Sequence, residues 1–223
     1  MAHYLRTNLH YCDTGAHIVF LDAVAGRYFS IPPSWNDSFR ACLTDDALIE
    51  RTDFAVSKLV AAGILCPPGH EGPARDPMPF VAPTEIWSDE ADRFVRFSTV
   101  LRAFWHQIRV ASDLKKHGFQ KVIRDLDRRR KNTSRVDAID VASQINRLRA
   151  ALTFAEFAIS RADNCLIRSI ALVRMLHAAG ADGNLVIGVT ASPFSAHAWV
   201  QCGTKVLNDS LDHVRIFSPI LVV

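Results

Sequence analysis

The run Pro67 to Pro83, P-P-G-H-E-G-P-A-R-D-P-M-P-F-V-A-P, constrains the fold more than any other stretch, because it holds many helix and strand breakers and no hydrophobic period. No regular element runs through it. The residues on either side must therefore bury their apolar surface separately, giving one unit at residues 1–68, a Pro-rich linker at 69–83 and a second unit at 84–223. A chain of 223 residues is long enough for two such cores.

The longer unit carries the chemistry. From Asp163 it reads D-N-C-L-I-R-S-I-A-L-V-R-M-L-H-A-A-G, then N-L-V-I-G-V-T, S-A-H-A-W-V-Q-C and K-V-L-N-D. Leu166, Ile167, Ile170, Ala171, Val173, Leu176 and Ala179 keep helical spacing, with Asp163 or Asn164 as N-cap and Gly180 as stop. Cys165 thus falls at the start of a buried helix. There the unpaired amides and the helix dipole favour a thiolate over a thiol of ordinary pKa, about 8.5. Leu185 to Thr190 predicts a strand, and the alternation over Ala196 to Gln201 predicts another with His197 and Trp199 on one face. Gly203 and Thr204 suit a tight turn, after which Asp209 ends a third strand within reach of the far nitrogen of His197. A nucleophile, its base and the base's orienter need this order of residue types. Taken singly, a helical cysteine is usually a small buried hydrophobe and a strand histidine is usually packing, so the set carries the reading. Asp212 and His213 are rivals of Asp209 for the third place.

A helix-borne cysteine, a strand with H-A-W-V and a strand-terminal aspartate resemble the transglutaminase-like, papain-related superfamily. In the particular form N-C-L-x-R-S-x-A-L, F-S-A-H-A-W-V and L-N-D, the chain resembles the B proteins of lasso-peptide biosynthesis, which remove the leader from a ribosomally made precursor. The resemblance implies Cys165 as nucleophile, His197 as base and Asp209 as its orienter. It also implies a lasso precursor peptide as substrate and a macrolactam-forming cyclase as partner. Two other uses of the second unit stay open: transglutaminase-type acyl transfer to an amine, and a non-catalytic scaffold that delivers precursors.

In the first unit, Ala16 to Asp22 and Arg27 to Ile31 predict a hairpin turned by Gly26. A helix capped by Ser34 follows Pro32-Pro33 and carries Trp35, Phe39 and Leu43; a second runs from Thr52 to Ala62, stopped by Gly63; Ile64-Leu65 is a short strand. This order is winged-helix-like. A DNA-reading helix should be basic, yet Thr52 to Ala62 offers only Lys58, so nucleic acid is not expected. The unit resembles the precursor-recognition element of ribosomal-peptide modifying enzymes, which implies strand addition of an extended leader at Arg27 to Ile31. Tyr28, Phe29, Phe54, Lys58 and Leu65 are the implied leader contacts.

Between linker and nucleophile, apolar spacing predicts helices at Glu90 to Leu114, Phe119 to Arg130 and Asp137 to Ser160. Lys121, Arg124, Arg128, Arg129, Arg130 and Lys131 make the second strongly basic, as a solvated helix end often is. Gln144 is a candidate side-chain donor to an oxyanion, and a surface glutamine explains it equally well. No phosphate-binding glycine loop is present, five widely spaced cysteines lack a C-x-x-C pair, and no apolar run reaches membrane length. The expected protein is α+β, a winged-helix-like recognition domain followed by a papain/transglutaminase-like cysteine peptidase domain. It is expected to be cytoplasmic, without membrane contact, and to need no cofactor and no metal.

Overall fold

In the computed structural model, residues 4–44, 54–66, 80–87, 96–131, 138–156 and 164–223 are described. The chain divides into two units, Met1–Pro79 and Phe80–Val223. Asp163, Thr52, Phe94, Phe157 and most of the breaker run, on which several expectations fall, lie outside the described residues.

The first unit contains β1 (Tyr4–Leu5), β2 (Leu9–Asp13), β3 (Ile18–Asp22), β4 (Arg27–Ser30), a 3-10 turn at Pro33–Trp35, α1 (Asn36–Thr44), α2 (Phe54–Ala61) and β5 (Leu65–Cys66). The expected hairpin is the inner and outer part of a three-stranded antiparallel sheet, ordered β2-β3-β4. All five residues of β3 are buried, as befits its central strand, while among the described residues β4 has a sheet neighbour on one side only. Between them Asp22 Oδ1 accepts the N–H groups of Val24 and Ala25, and Gly26 takes the positive φ that completes the turn. β5 pairs with β1 rather than with that sheet.

Ile18, Phe20, Phe39, Leu59 and Leu65 form the centre of the core. The Phe20 ring meets Phe39 edge-on at 5.1 Å and stacks on Phe29 at 5.0 Å. Ser34 is not the helix cap that spacing suggests. Consecutive prolines fix the preceding backbone, a 3-10 turn absorbs Ser34 and Trp35, and α1 starts at Asn36, whose side-chain N–H donates to Ala16 O.

The second unit contains β6 (Glu85–Ile86), α3 (Phe97–His117), α4 (Phe119–Lys131), α5 (Ala138–Glu156), α6 (Cys165–Ala178), β7 (Asn184–Ala191), β8 (Phe194–Cys202), β9 (Lys205–Val206), α7 (Leu211–Arg215) and β10 (Ser218–Val222). Its sheet runs β10-β7-β8-β9-β6, with β6 and β9 parallel and the other pairs antiparallel. Neither β6 nor β10 announces itself by alternation: β6 has two residues, and β10 shifts register between Pro219 and Leu221. Phe80 to Pro83, placed by composition in the linker, belong to this unit. Phe80 packs against the core around Trp199, and Gln201 Nε2 donates to Val81 O.

α6 is buried from Ser169 to His177, as a helix with apolar residues on most sides must be. Its one buried guanidinium, Arg174, pairs with Asp113 of α3 at 2.7 Å and Asp125 of α4 at 3.5 Å. The basic α4 buries Val122 and Leu126, and Arg129 folds back on Asp125 at 2.8 Å. Where β7 passes β8, Gly188 leaves room for two large neighbours: a Cβ there would lie 2.8 Å from Phe217 and 2.9 Å from the Trp199 ring. Among the described residues no helix is long and apolar enough to cross a membrane.

Candidate active site

Cys165 is the first residue of α6, after Asn164 at the cap position. Asn164 makes no side-chain cap bond, and the amide of Leu166 faces the Cys165 sulfur instead. The strand pattern of β8 puts His197 and Trp199 on one face, and their rings lie 6.3 Å apart and nearly parallel. Asp209 does not end a strand. β9 stops at Val206, and the carboxylate sits three residues on, just before α7.

The three chemical groups meet. His197 Nε2 donates to Asp209 Oδ2 at 2.5 Å. The remaining ring nitrogen, Nδ1, is left for the Cys165 sulfur, to which His197 is hydrogen-bonded. That bond, chiefly, holds the Cys165 thiol below its ordinary range; the N–H groups of Ala198 and Leu166 add to it, and burial opposes it. Burial would push His197 down, but Asp209 and Cys165 outweigh it and raise the imidazole to about 9. Burial likewise opposes ionisation of Asp209, yet His197, His213 and the Ser210 N–H hold its carboxyl down at about 2. Each shift favours the charged form: the thiolate of Cys165, the imidazolium of His197 and the carboxylate of Asp209.

The scaffold that aligns them is polar and part-buried. Asn208 Oδ1 accepts the Val200 N–H at 2.7 Å, and Asn208 Nδ2 donates to Ser169 Oγ at 2.9 Å. Ser169 Oγ in turn donates to Ala198 O at 2.9 Å. One amide next to Asp209 thus ties the helix that carries the thiol to the strand that carries the imidazole. Arg149 Nε donates to Leu207 O and holds the same loop from α5. A cavity of about 320 Å³ opens beside Asp209, lined by Arg149, Arg168 and Leu172 among others. Burial lowers the Arg168 guanidinium while the charge of Asp209 supports it, and that attraction favours the ionised carboxylate.

His213, a rival in the sequence, joins the site without replacing Asp209: its Nδ1 donates to Asp209 Oδ1 at 3.0 Å. Ser169, Asn208 and His213 are site residues that spacing alone did not assign. The legible signals were Ser169 one turn after Cys165, and L-N-D-S-x-D-H as a run of short polar groups. Gln144 is half-buried on α5, and the amides found at the sulfur belong to Leu166 and Ala198 instead. The ligand atoms of His197, Asp209 and His213 lie within 4.8 Å of one another, a spacing compatible with a metal ion, although here the nitrogens are directed at the carboxylate oxygens.

The first unit distributes its candidate residues unevenly. Phe54 is 66% exposed on α2, with Lys58 Nζ 5.2 Å from its ring centre. Tyr28 and Phe29 are half-buried on β4, Phe29 against Phe20. Leu65 does not fit the contact role: it is only 2% exposed, because β5 turns it into the core of the first unit.

A family model for the transglutaminase-like superfamily matches residues 105–222. Microcin J25-processing protein McjB of Escherichia coli is 47% identical over 47 residues, which cover 21% of this chain and 23% of that protein. The chain therefore spans less than a quarter of that relative's length. No solved structure matches it.

Proposed function

Because the chain belongs to the transglutaminase-like superfamily, we propose that it is a cysteine peptidase that cleaves the leader from a lasso-peptide precursor. The observation that carries the reading is the hydrogen-bonded line from Cys165 through His197 to Asp209. The similarity to a microcin-processing protein supports the substrate class.

The reaction follows from the charges. The Cys165 thiolate attacks the carbonyl at the leader–core junction, and the amides at the start of α6 face the oxyanion that forms. His197, protonated and held by Asp209, gives its proton to the departing amine of the core peptide. Water then attacks the thioester with His197 as base, releasing the leader and restoring the thiolate. The freed core amine is the nucleophile that a partner cyclase would join to a side-chain carboxylate.

The first unit is the leader-recognition domain in this reading. An extended leader adds to the open side of β4, where Tyr28 and Phe29 present opposite faces of the strand, and Phe54 and Lys58 are its contacts on α2. The protein works in the cytoplasm on a newly made precursor, without nucleic acid or membrane.

Incubation of the purified protein with its precursor, followed by mass spectrometry, tests the proposal. Cys165→Ala should abolish cleavage and leave precursor affinity unchanged. Cleavage that persists in Cys165→Ala would refute it, and a leader crosslinked to an amine would reassign the chemistry to acyl transfer.

A further inference from the structure

We propose that His213 is a positioning residue of this site, acting on Asp209 as the counterpart of His197; the inference rests on the peptidase reading for its kinetic part alone. An ionised carboxylate accepts hydrogen bonds and donates none, so each nitrogen facing Asp209 must carry a hydrogen. His197 Nε2 holds Oδ2 and His213 Nδ1 holds Oδ1, at 2.5 and 3.0 Å, and the Ser210 N–H shares Oδ1 at 2.7 Å. With a donor fixed on each oxygen, the carboxylate plane cannot turn, and the direction in which it holds His197 is set. Among the described residues, without His213 a single backbone amide restrains Oδ1, from the residue next in the chain.

The placement of His213 is itself built. Ser210 caps α7, its hydroxyl accepting the backbone N–H of His213, so the five-residue helix starts with that residue's position defined. The His213 ring then lies 4.5 Å from the His197 ring and meets Phe217 edge-on at 5.5 Å, while Phe217 also lies 5.2 Å from His197. Val214, the next residue, is buried in the cluster with Trp199 and Phe217 and anchors the helix. At 46% side-chain exposure His213 contributes little to the core, so its burial does not explain its position. Its work is done at Asp209.

Three substitutions separate a donor from a filler. His213→Asn keeps an N–H near the place of Nδ1, His213→Leu keeps the contact with Phe217 but has no donor, and His213→Ala has neither. In the full-length protein, the rate of Cys165 alkylation by iodoacetamide, followed by peptide mapping, reads the thiolate without any peptide substrate. Loss of the donor should raise the pH midpoint of that alkylation by about half a unit in the Leu and Ala variants, as the imidazolium is held less well. Asn should restore it. With precursor as substrate, kcat should fall about 10-fold in Leu and Ala with KM unchanged, the size expected when a reacting group is misaligned.

A Leu variant indistinguishable from the wild-type protein in both measurements would overturn the inference, because packing would then be the whole role. So would an Asn variant as impaired as Ala while its thermal melt matches the wild type. Loss of wild-type thiol reactivity on dialysis against a chelator would also overturn it, since the cluster would then be holding an ion. If no precursor is cleaved by the wild-type protein, the peptidase reading fails and the alkylation midpoints still decide the role of His213.

Discussion

Cys165 and His197 share one proton, and the pH dependence of any acyl chemistry at this site is written in that sharing. The thiol is held below its ordinary range and the imidazole is raised to about 9, so the ion pair exists between these two limits. Below the lower limit the sulfur is protonated and unreactive. Above about 9 the imidazole loses the proton that the leaving amine needs. On the peptidase reading, cleavage should therefore rise with pH below the ordinary thiol range and fall near pH 9; a rate that climbs steadily past the ordinary thiol range would show that no ion pair is present. Asp209→Asn keeps the size of the side chain but removes the charge that holds the imidazolium. A fall in kcat of roughly 10³ to 10⁴ is expected, by analogy with the same change in a serine protease triad. Steady-state kinetics should place that loss in kcat, with a normal fold by circular dichroism.

At the scale of elements, the site is an agreement between one helix and one strand, and Asn208 keeps it. Asn208→Ala would leave the Val200 N–H without its acceptor in a part-buried region, at a cost of about 1–3 kcal/mol, and would take one donor from Ser169 Oγ, which keeps its bond to Ala198 O. Denaturant unfolding should register this, and kcat should fall as well because α6 and β8 lose their shared tie. Gly188→Ala tests the other face of β8. The new methyl would press on Phe217 and Trp199, both tied to the His197 neighbourhood, and overpacking of this kind costs about 1–3 kcal/mol. A stability equal to wild type would mean that the crowded pair can move aside.

These elements were unequally visible in the sequence. α6, β7 and β8 announce themselves as a long apolar helix, a short β-branched run and an alternating strand. β1 and β6 do not, because two residues carry no period and only their partners make them strands, and β9, expected to reach Asp209, stops at Val206. Cys165, His197 and Asp209 were legible as residue types in order, whereas the Asn208 tie and the His213 contact depend on a turn after β9 whose direction no periodicity encodes.

For the molecule as a whole, two units imply two separable measurements. Phe54→Ala and Lys58→Ala alter an exposed aromatic–cation pair in the first unit, while the thiol, imidazole and carboxylate all belong to the second. If the first unit recognises the leader, these changes should raise KM about 10-fold or less and leave kcat and Cys165 alkylation untouched. A fall in kcat with KM unchanged would remove leader recognition from this face. The tie made by Asn208 has a last consequence, for how the protein comes apart. The spacing of sulfur and ring depends on the buried middle of the second unit, so fraying elsewhere should leave it intact. On heating, the reactivity of Cys165 should stay level and then collapse together with the cooperative melting of that unit, making one thiol a gauge of the entire C-terminal fold.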